Sequence, residues 1–291
     1  SRAQPFTMKC HRCHSFGDID PSYFERQAEE VMAKLEGEED IAFSIVALDE
    51  ETQCEEAFEE IPVKDREEFI ETCENAETSV IFSSGGQEFL FEEPEALQGL
   101  LAHEMMHTVQ RDEELGEQIE EGAKAYEDEM ITALRESEMS DQEINRFIHT
   151  VFQTAIYTLK DLFTNTELVR QGFAEELEAY YHHMLGIDSF CPAPDFYGEE
   201  AELEEVQDAI TFELGLLPAW LPFKGLERDG SNEIRNRIEE CYEKGIPQVA
   251  AYIHELEDLY RDTFDEPEAF IDAYFRQVVE RSIEMMGRAE E

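Results

Sequence analysis

The stretch Gly99-Leu-Leu-Ala-His103-Glu104-Met-Met-His107-Thr-Val-Gln110 carries the strongest local pattern in this chain. Apart from its two histidines and one glutamate it is uncharged, although charged residues make up 32% of the sequence. Such a window favours a buried helix, and Pro94 fits its first turn, where the missing N–H costs nothing. Burying two histidines and a glutamate without partners would be costly, so we expect a partner for all three.

The spacing of these polar residues suits a bound metal. In a helix, His103 and His107 lie four residues apart on one face, with Glu104 beside them. Two neutral imidazoles can hold Zn²⁺, and a neighbouring carboxylate can deprotonate its bound water. The pattern predicts His103 and His107 as zinc ligands and Glu104 as a general base. The alternative is a core helix whose histidines are satisfied by packing and hydrogen bonds.

The His-Glu-x-x-His order of His103 to His107 resembles the zincin metallopeptidases. That resemblance implies a Zn²⁺-dependent enzyme acting on peptide or protein substrates. The segment from Tyr157 to Tyr181 is also similar to uncharacterised haloarchaeal zincin-like proteins, in which a Lys-Asp-x-x-x-Asp stretch follows the metal helix. The metzincin extension is absent, because Gln110 replaces its glycine and Glu113 replaces its third histidine.

A third ligand must come from farther along the chain, and three candidates compete. Asp161 and Asn165 reproduce the four-residue spacing of thermolysin-like members, in which a later acid binds zinc and a second group orients a histidine. Glu176 lies in a Glu-x-x-Ala-x-Tyr stretch like that of glutamate-ligand zincins. Glu120 or Glu121 is closest in sequence. We favour Asp161, because its helix is otherwise largely uncharged. Candidate oxyanion donors are His149, Tyr157, Tyr180, Tyr181, His182 and His183.

The predicted fold class is α+β, with a small N-terminal β-sheet, a mainly helical zincin-like body and a helical C-terminal extension. The β-branched and aromatic residues of 41–48 predict a strand, and two short β-prone runs on either side of Gly85-Gly86 predict a hairpin. A helix is expected over 21–35, with Phe24, Ala28, Val31 and Leu35 on one face. The expected divisions are 1–20, an irregular segment with Cys-His pairs, 21–198, the metal-binding domain, and 199–291, the extension.

A second motif, Cys10-His-Arg-Cys13-His14, lies near the N-terminus. Three interpretations stay open: incidental cysteines, a local zinc or redox pair, and covalent haem attachment with His14 as an axial ligand. The six cysteines of the chain are too widely spread for a compact disulfide scaffold, which favours reduced thiols.

The chain has 72 acidic against 22 basic residues, a formal net charge of -50, spread along its whole length. Concentrated salt screens such repulsion, so the composition resembles that of proteins from salt-accumulating halophiles and indicates a cytoplasmic location. The lack of a basic surface argues against nucleic-acid binding. No apolar run of about 18 residues predicts a membrane span, and no export signal is apparent, although a trimmed N-terminus and the oligomeric state stay open.

Overall fold

The computed structural model describes residues 9–16, 21–35, 42–48, 79–83, 89–109, 113–136, 139–186, 203–223, 236 and 247–289. Nine helices lie within these ranges: α1 (Pro21–Lys34), α2 (Phe89–Glu92), α3 (Pro94–Val109), α4 (Glu113–Leu134), α5 (Asp141–Arg170), α6 (Ala174–Gly186), α7 (Leu203–Trp220), α8 (Pro247–Thr263) and α9 (Pro267–Ala289). A 3₁₀ turn, Leu221–Phe223, follows α7. No helix among these described segments is long and apolar enough to cross a membrane.

Three short strands, β1 (Lys9–Phe16), β2 (Ala42–Leu48) and β3 (Ser79–Ser83), pair in parallel in the order β1-β2-β3. Their side chains lie outside the described part of the structure. The motif from Cys10 to His14 falls in β1, so its three interpretations stay predictions. The expected domain divisions near residues 20 and 198 also fall outside the described residues.

The predicted α+β class is wrong for the part of the chain whose side chains the structure describes, which is helical, and the predicted hairpin is wrong as well. Among the residues whose side chains the structure describes, 92% are helical and none lies in a strand. The second arm of the expected hairpin is α2, and β3 pairs with β2 rather than with the segment after it. A short apolar run is too short to show whether its period is that of a strand or of a helix. Here the run forms a helix, with Leu90 buried.

The chain divides into two compact units. The first comprises residues 1–111 and 167–183. In it α1 packs on α3, and the predicted face of α1 is confirmed, since Phe24, Ala28, Val31 and Leu35 are all buried. The Tyr23 hydroxyl donates to the Leu90 carbonyl at 3.2 Å, and the Gln98 amide donates to Gln27 Oε1 at 2.6 Å.

The second unit comprises residues 112–166 and 184–291. Its core is built from α4, α5, α7, α8 and α9, with aromatic stacking between Phe152 and Phe275 at 6.0 Å. One ion pair is buried within it: Arg281 binds both carboxylate oxygens of Glu213, at 3.0 and 3.2 Å. Tyr252 lies 5.2 Å beneath the guanidinium, and burial raises the pKa of its hydroxyl.

Candidate metal centre

The helix α3 holds His103 and His107 in a largely apolar environment. Leu101, Ala102, Met105 and Met106 are buried, and His103 is only 8% exposed. The sequence prediction of a buried helix over this stretch is therefore confirmed. His107 and Glu104 are half-buried, so solvent has access to the polar edge of the helix at these two residues.

The two imidazoles converge through their Nε2 atoms, which lie 3.0 Å apart. Their rings are nearly perpendicular, at 89°, with centroids separated by 4.5 Å. A metal about 2.05 Å from both nitrogens would see them at an angle of about 94°, and tetrahedral coordination needs a separation of about 3.3 Å. Small side-chain rotations in the two histidines are enough to supply that separation.

Asp161 on α5 completes a set of three possible ligands. One ligand atom from each of His103, His107 and Asp161 lies within 4.8 Å of the others. It is the one group of three or more such residues found among the described parts of the chain. His103 is buried, and His107 and Asp161 are half-buried. The structure thus brings together the three residues that the sequence analysis proposed as ligands.

Glu104 follows His103 directly on α3. At 100° per residue, its side chain leaves the helix about 60° around the axis from that of His107. It therefore lies beside the pair of imidazoles, on the half-buried edge of the helix. This position suits a carboxylate that acts on a group held by the two histidines.

The competing acids lie outside this ligand group. Glu176 pairs with Lys34, whose Nζ lies 2.5 Å from its Oε1, and its side chain is 13% exposed. The Lys34 ammonium also lies 4.5 Å from the Phe173 ring centroid. Glu120 is 68% exposed and lies 3.8 Å from Lys160, and Glu121 is exposed. Neither Glu176 nor the Glu120–Glu121 pair belongs to the ligand group found among the described residues.

Asn165 has a hydrogen bond that the sequence analysis did not anticipate. Its fully buried amide donates to the Pro218 carbonyl of α7 at 3.0 Å. In a continuing helix that carbonyl would accept from residue 222, which is a proline and has no N–H. Asn165 therefore supplies the missing donor. Its expected role in orienting a ligand imidazole stays a prediction.

The candidate oxyanion donors differ in placement. Tyr157 lies one turn before Asp161 on α5 and is 62% exposed. His183 lies 2.5 Å from the Glu93 carboxylate, at the start of α3. Tyr180 packs edge-on against Tyr181, with ring centroids 5.2 Å apart. His149 and His182 are exposed. The choice among these residues stays open.

Sequence reasoning missed one residue that bears directly on α3. Gly99 lies four residues before His103, in contact with the backbone of α6 at Glu176. The available signal was a glycine inside an otherwise helical, uncharged stretch, where it costs about 1 kcal/mol relative to alanine.

Searches with known family models, with curated proteins and with solved structures found no match for this chain. The conclusions about function therefore depend on the residues and their geometry.

Proposed function

We propose that this protein is a zinc-dependent hydrolase, specifically a peptidase, whose metal ligands are His103, His107 and Asp161. The observation that carries the proposal is the convergence of these three side chains to within 4.8 Å. Two imidazoles and one carboxylate are a donor set typical of catalytic zinc, which takes three protein ligands and leaves one position open.

The bound metal would supply Lewis acidity and bring the pKa of a coordinated water close to neutrality. Glu104, at the half-buried edge of α3, would accept a proton from the attacking water and return it to the leaving amine. His103 and His107 would each hold the metal through the lone pair of one imidazole nitrogen. The buried side chains around them exclude bulk water, which strengthens electrostatic interactions at the centre.

Peptide substrates are part of the proposal because the His-Glu-x-x-His order of α3 resembles that of zinc peptidases. A cytoplasmic location in a salt-accumulating cell is also proposed, supported by the formal net charge of -50 spread along the chain. A non-catalytic, metal-binding regulatory protein is the rival hypothesis, and it shares the ligands but needs no role for Glu104.

The first test is metal content, measured by mass spectrometry on protein purified in concentrated KCl. We expect about one zinc per chain in the wild type and its loss in His103→Ala. The control is His254→Ala, which removes a half-exposed histidine from α8 and should keep the metal. A wild type that takes up no metal when zinc is supplied overturns the proposal. Iron instead of zinc would redirect it, since two histidines and one carboxylate also bind iron(II) in oxygenases.

The second test separates the hydrolase from the rival hypothesis. Glu104→Gln should keep the zinc and lose about 10²- to 10⁴-fold in kcat on peptide substrates, because it removes the general base alone. The matched control is Glu117→Gln on the exposed side of α4, which should change neither quantity. Peptidase activity that survives Glu104→Gln would contradict the catalytic role.

A further inference from the structure

Helices α3 and α6 touch backbone to backbone at Gly99. A Cβ added to Gly99 would lie 2.2 Å from the Glu176 carbonyl oxygen, 2.7 Å from its carbon and 3.1 Å from the Leu177 nitrogen. All three atoms belong to the main chain of α6, so no side-chain rotation could relieve the overlap. Only glycine allows this approach.

A second contact lies between the beginning of α3 and the end of α6. His183, near the end of α6, lies 2.5 Å from Glu93, which precedes α3. Residue 93 thus faces residue 183, and residue 99 faces residue 176, so the two helices run antiparallel. Glu176, the α6 residue at the Gly99 contact, forms an ion pair with Lys34 at the end of α1. This ion pair ties α6 to α1 at the residue that Gly99 faces.

Gly99 lies one helical turn before His103 and on the same face of α3. Whatever sets the distance from α3 to α6 at Gly99 also sets where His103 projects. Replacing the hydrogen with a methyl group would force the α3 and α6 backbones apart, since the contact with the carbonyl oxygen would have to lengthen by 1.2 Å, from 2.2 Å to the 3.4 Å at which ordinary contact begins. Functional groups in a metal site usually have to be held within about 0.5 Å.

Glycine inside a helix costs roughly 1 kcal/mol relative to alanine. In α3 this destabilising residue, Gly99, lies in the helix interior, one turn before the first proposed ligand, His103. We propose that Gly99 is a positioning residue of the metal centre: by allowing α3 to approach the α6 backbone, it places the imidazoles of His103 and His107 at chelating distance from Asp161. This inference rests on the proposed function, because it presumes that His103 is a metal ligand.

The rival explanation is purely structural: Gly99 lets two helices pack, and the metal centre tolerates their displacement. The two explanations differ in what happens to metal binding when the protein stays folded. The matched control is Gly215→Ala in the interior of α7, where an added Cβ meets nothing within 4 Å.

The experiment measures Zn²⁺ affinity by competition with a chromophoric chelator, and the ligand geometry from the visible spectrum of the Co²⁺-loaded protein. Wild type, Gly99→Ala and Gly215→Ala are compared in concentrated KCl, with folding checked by circular dichroism. We expect Gly99→Ala to bind Zn²⁺ at least tenfold more weakly and to show a changed Co²⁺ spectrum. Gly215→Ala should stay within twofold of the wild type with an unchanged spectrum.

Native affinity and an unchanged spectrum in folded Gly99→Ala would overturn the inference. If that variant is unfolded, the measurement is repeated with trimethylamine N-oxide, which favours the compact state. A variant still unfolded there makes Gly99 a requirement of the fold itself and also overturns the positioning role. Absence of Zn²⁺ binding in the wild type would instead contradict the proposed function, so the two failures are distinguishable.

Discussion

Two carboxylates, Asp161 and Glu176, competed for the third ligand position, and their surroundings differ. Asp161 belongs to the group with His103 and His107, whereas Glu176 pairs with Lys34. We expect Asp161→Ala to weaken Zn²⁺ binding at least 100-fold, because removal of a ligand exceeds the 10- to 100-fold effect typical of outer-shell partners. Equilibrium dialysis against a zinc buffer measures this loss.

The control is Glu176→Gln, which removes the ion pair with Lys34 and should leave Zn²⁺ affinity within a fewfold of the wild type. Its cost to the free energy of unfolding should be about 1 kcal/mol or less, since Lys34 is 40% exposed and solvent screens the pair. The opposite result, with zinc lost in Glu176→Gln and kept in Asp161→Ala, would assign the third ligand to α6.

Asn165 illustrates how much of the site follows from sequence. The spacing of Asp161 and Asn165 predicts that both serve the metal centre, and Asp161 does lie near the two histidines. The partner found for the Asn165 amide, however, is the Pro218 carbonyl, 53 residues away. Local spacing cannot reveal it, because the need arises from Pro222, whose missing N–H leaves that carbonyl without a donor.

At the scale of elements, α5 carries Asp161 and begins with a capping box. The Glu143 N–H donates to Ser140 Oγ at 3.3 Å, and Glu143 Oε2 accepts from the Ser140 N–H at 2.9 Å and its hydroxyl at 2.6 Å. Replacing a serine N-cap with alanine costs helices about 1 kcal/mol. We expect Ser140→Ala to lower the thermal unfolding midpoint at pH 7 by a few degrees, as followed by circular dichroism.

The capping box also sets a pH dependence. The hydrogen bonds from Ser140 hold the pKa of the Glu143 carboxyl below its usual value. A group whose folded pKa is lowered stabilises the fold above its unfolded pKa and loses that contribution as pH falls through the folded pKa. The difference between wild type and Ser140→Ala should therefore shrink below about pH 4. A difference that stays constant down to pH 2 would contradict the role of the charged form.

The elements themselves were predictable to different degrees. Periodicity placed α1 and its buried face, and the uncharged stretch after Pro94 placed α3. The predicted hairpin failed because its second arm is a short apolar run, for which the sequence does not distinguish a strand from a helix. The approach of α3 to α6 at Gly99 was equally hidden, because it depends on which helices pack together.

At the scale of the whole molecule, the balance of charge is the dominant physical fact. With 72 acidic residues and 22 basic ones, carboxylates outnumber the side-chain cations of lysine and arginine by 50. Exposed pairs such as Arg261 with Asp258 and Arg276 with Asp272 engage two of the few arginines. The buried pair between Arg281 and Glu213 lies away from solvent ions, so salt should affect it little.

We therefore expect the free energy of unfolding to rise steeply as KCl increases from about 0.1 M to 1 M, where the Debye length falls from about 10 Å to 3 Å. Because screening depends on ionic strength, KCl and potassium sulfate at equal ionic strength should agree over this range. Urea unfolding followed by circular dichroism gives the measurement. A rise that continues linearly to 3 M and is larger in sulfate would indicate strengthened apolar burial instead, since sulfate is excluded from protein surfaces. Unfolding that is independent of KCl would contradict the proposed location in a salt-rich cytoplasm.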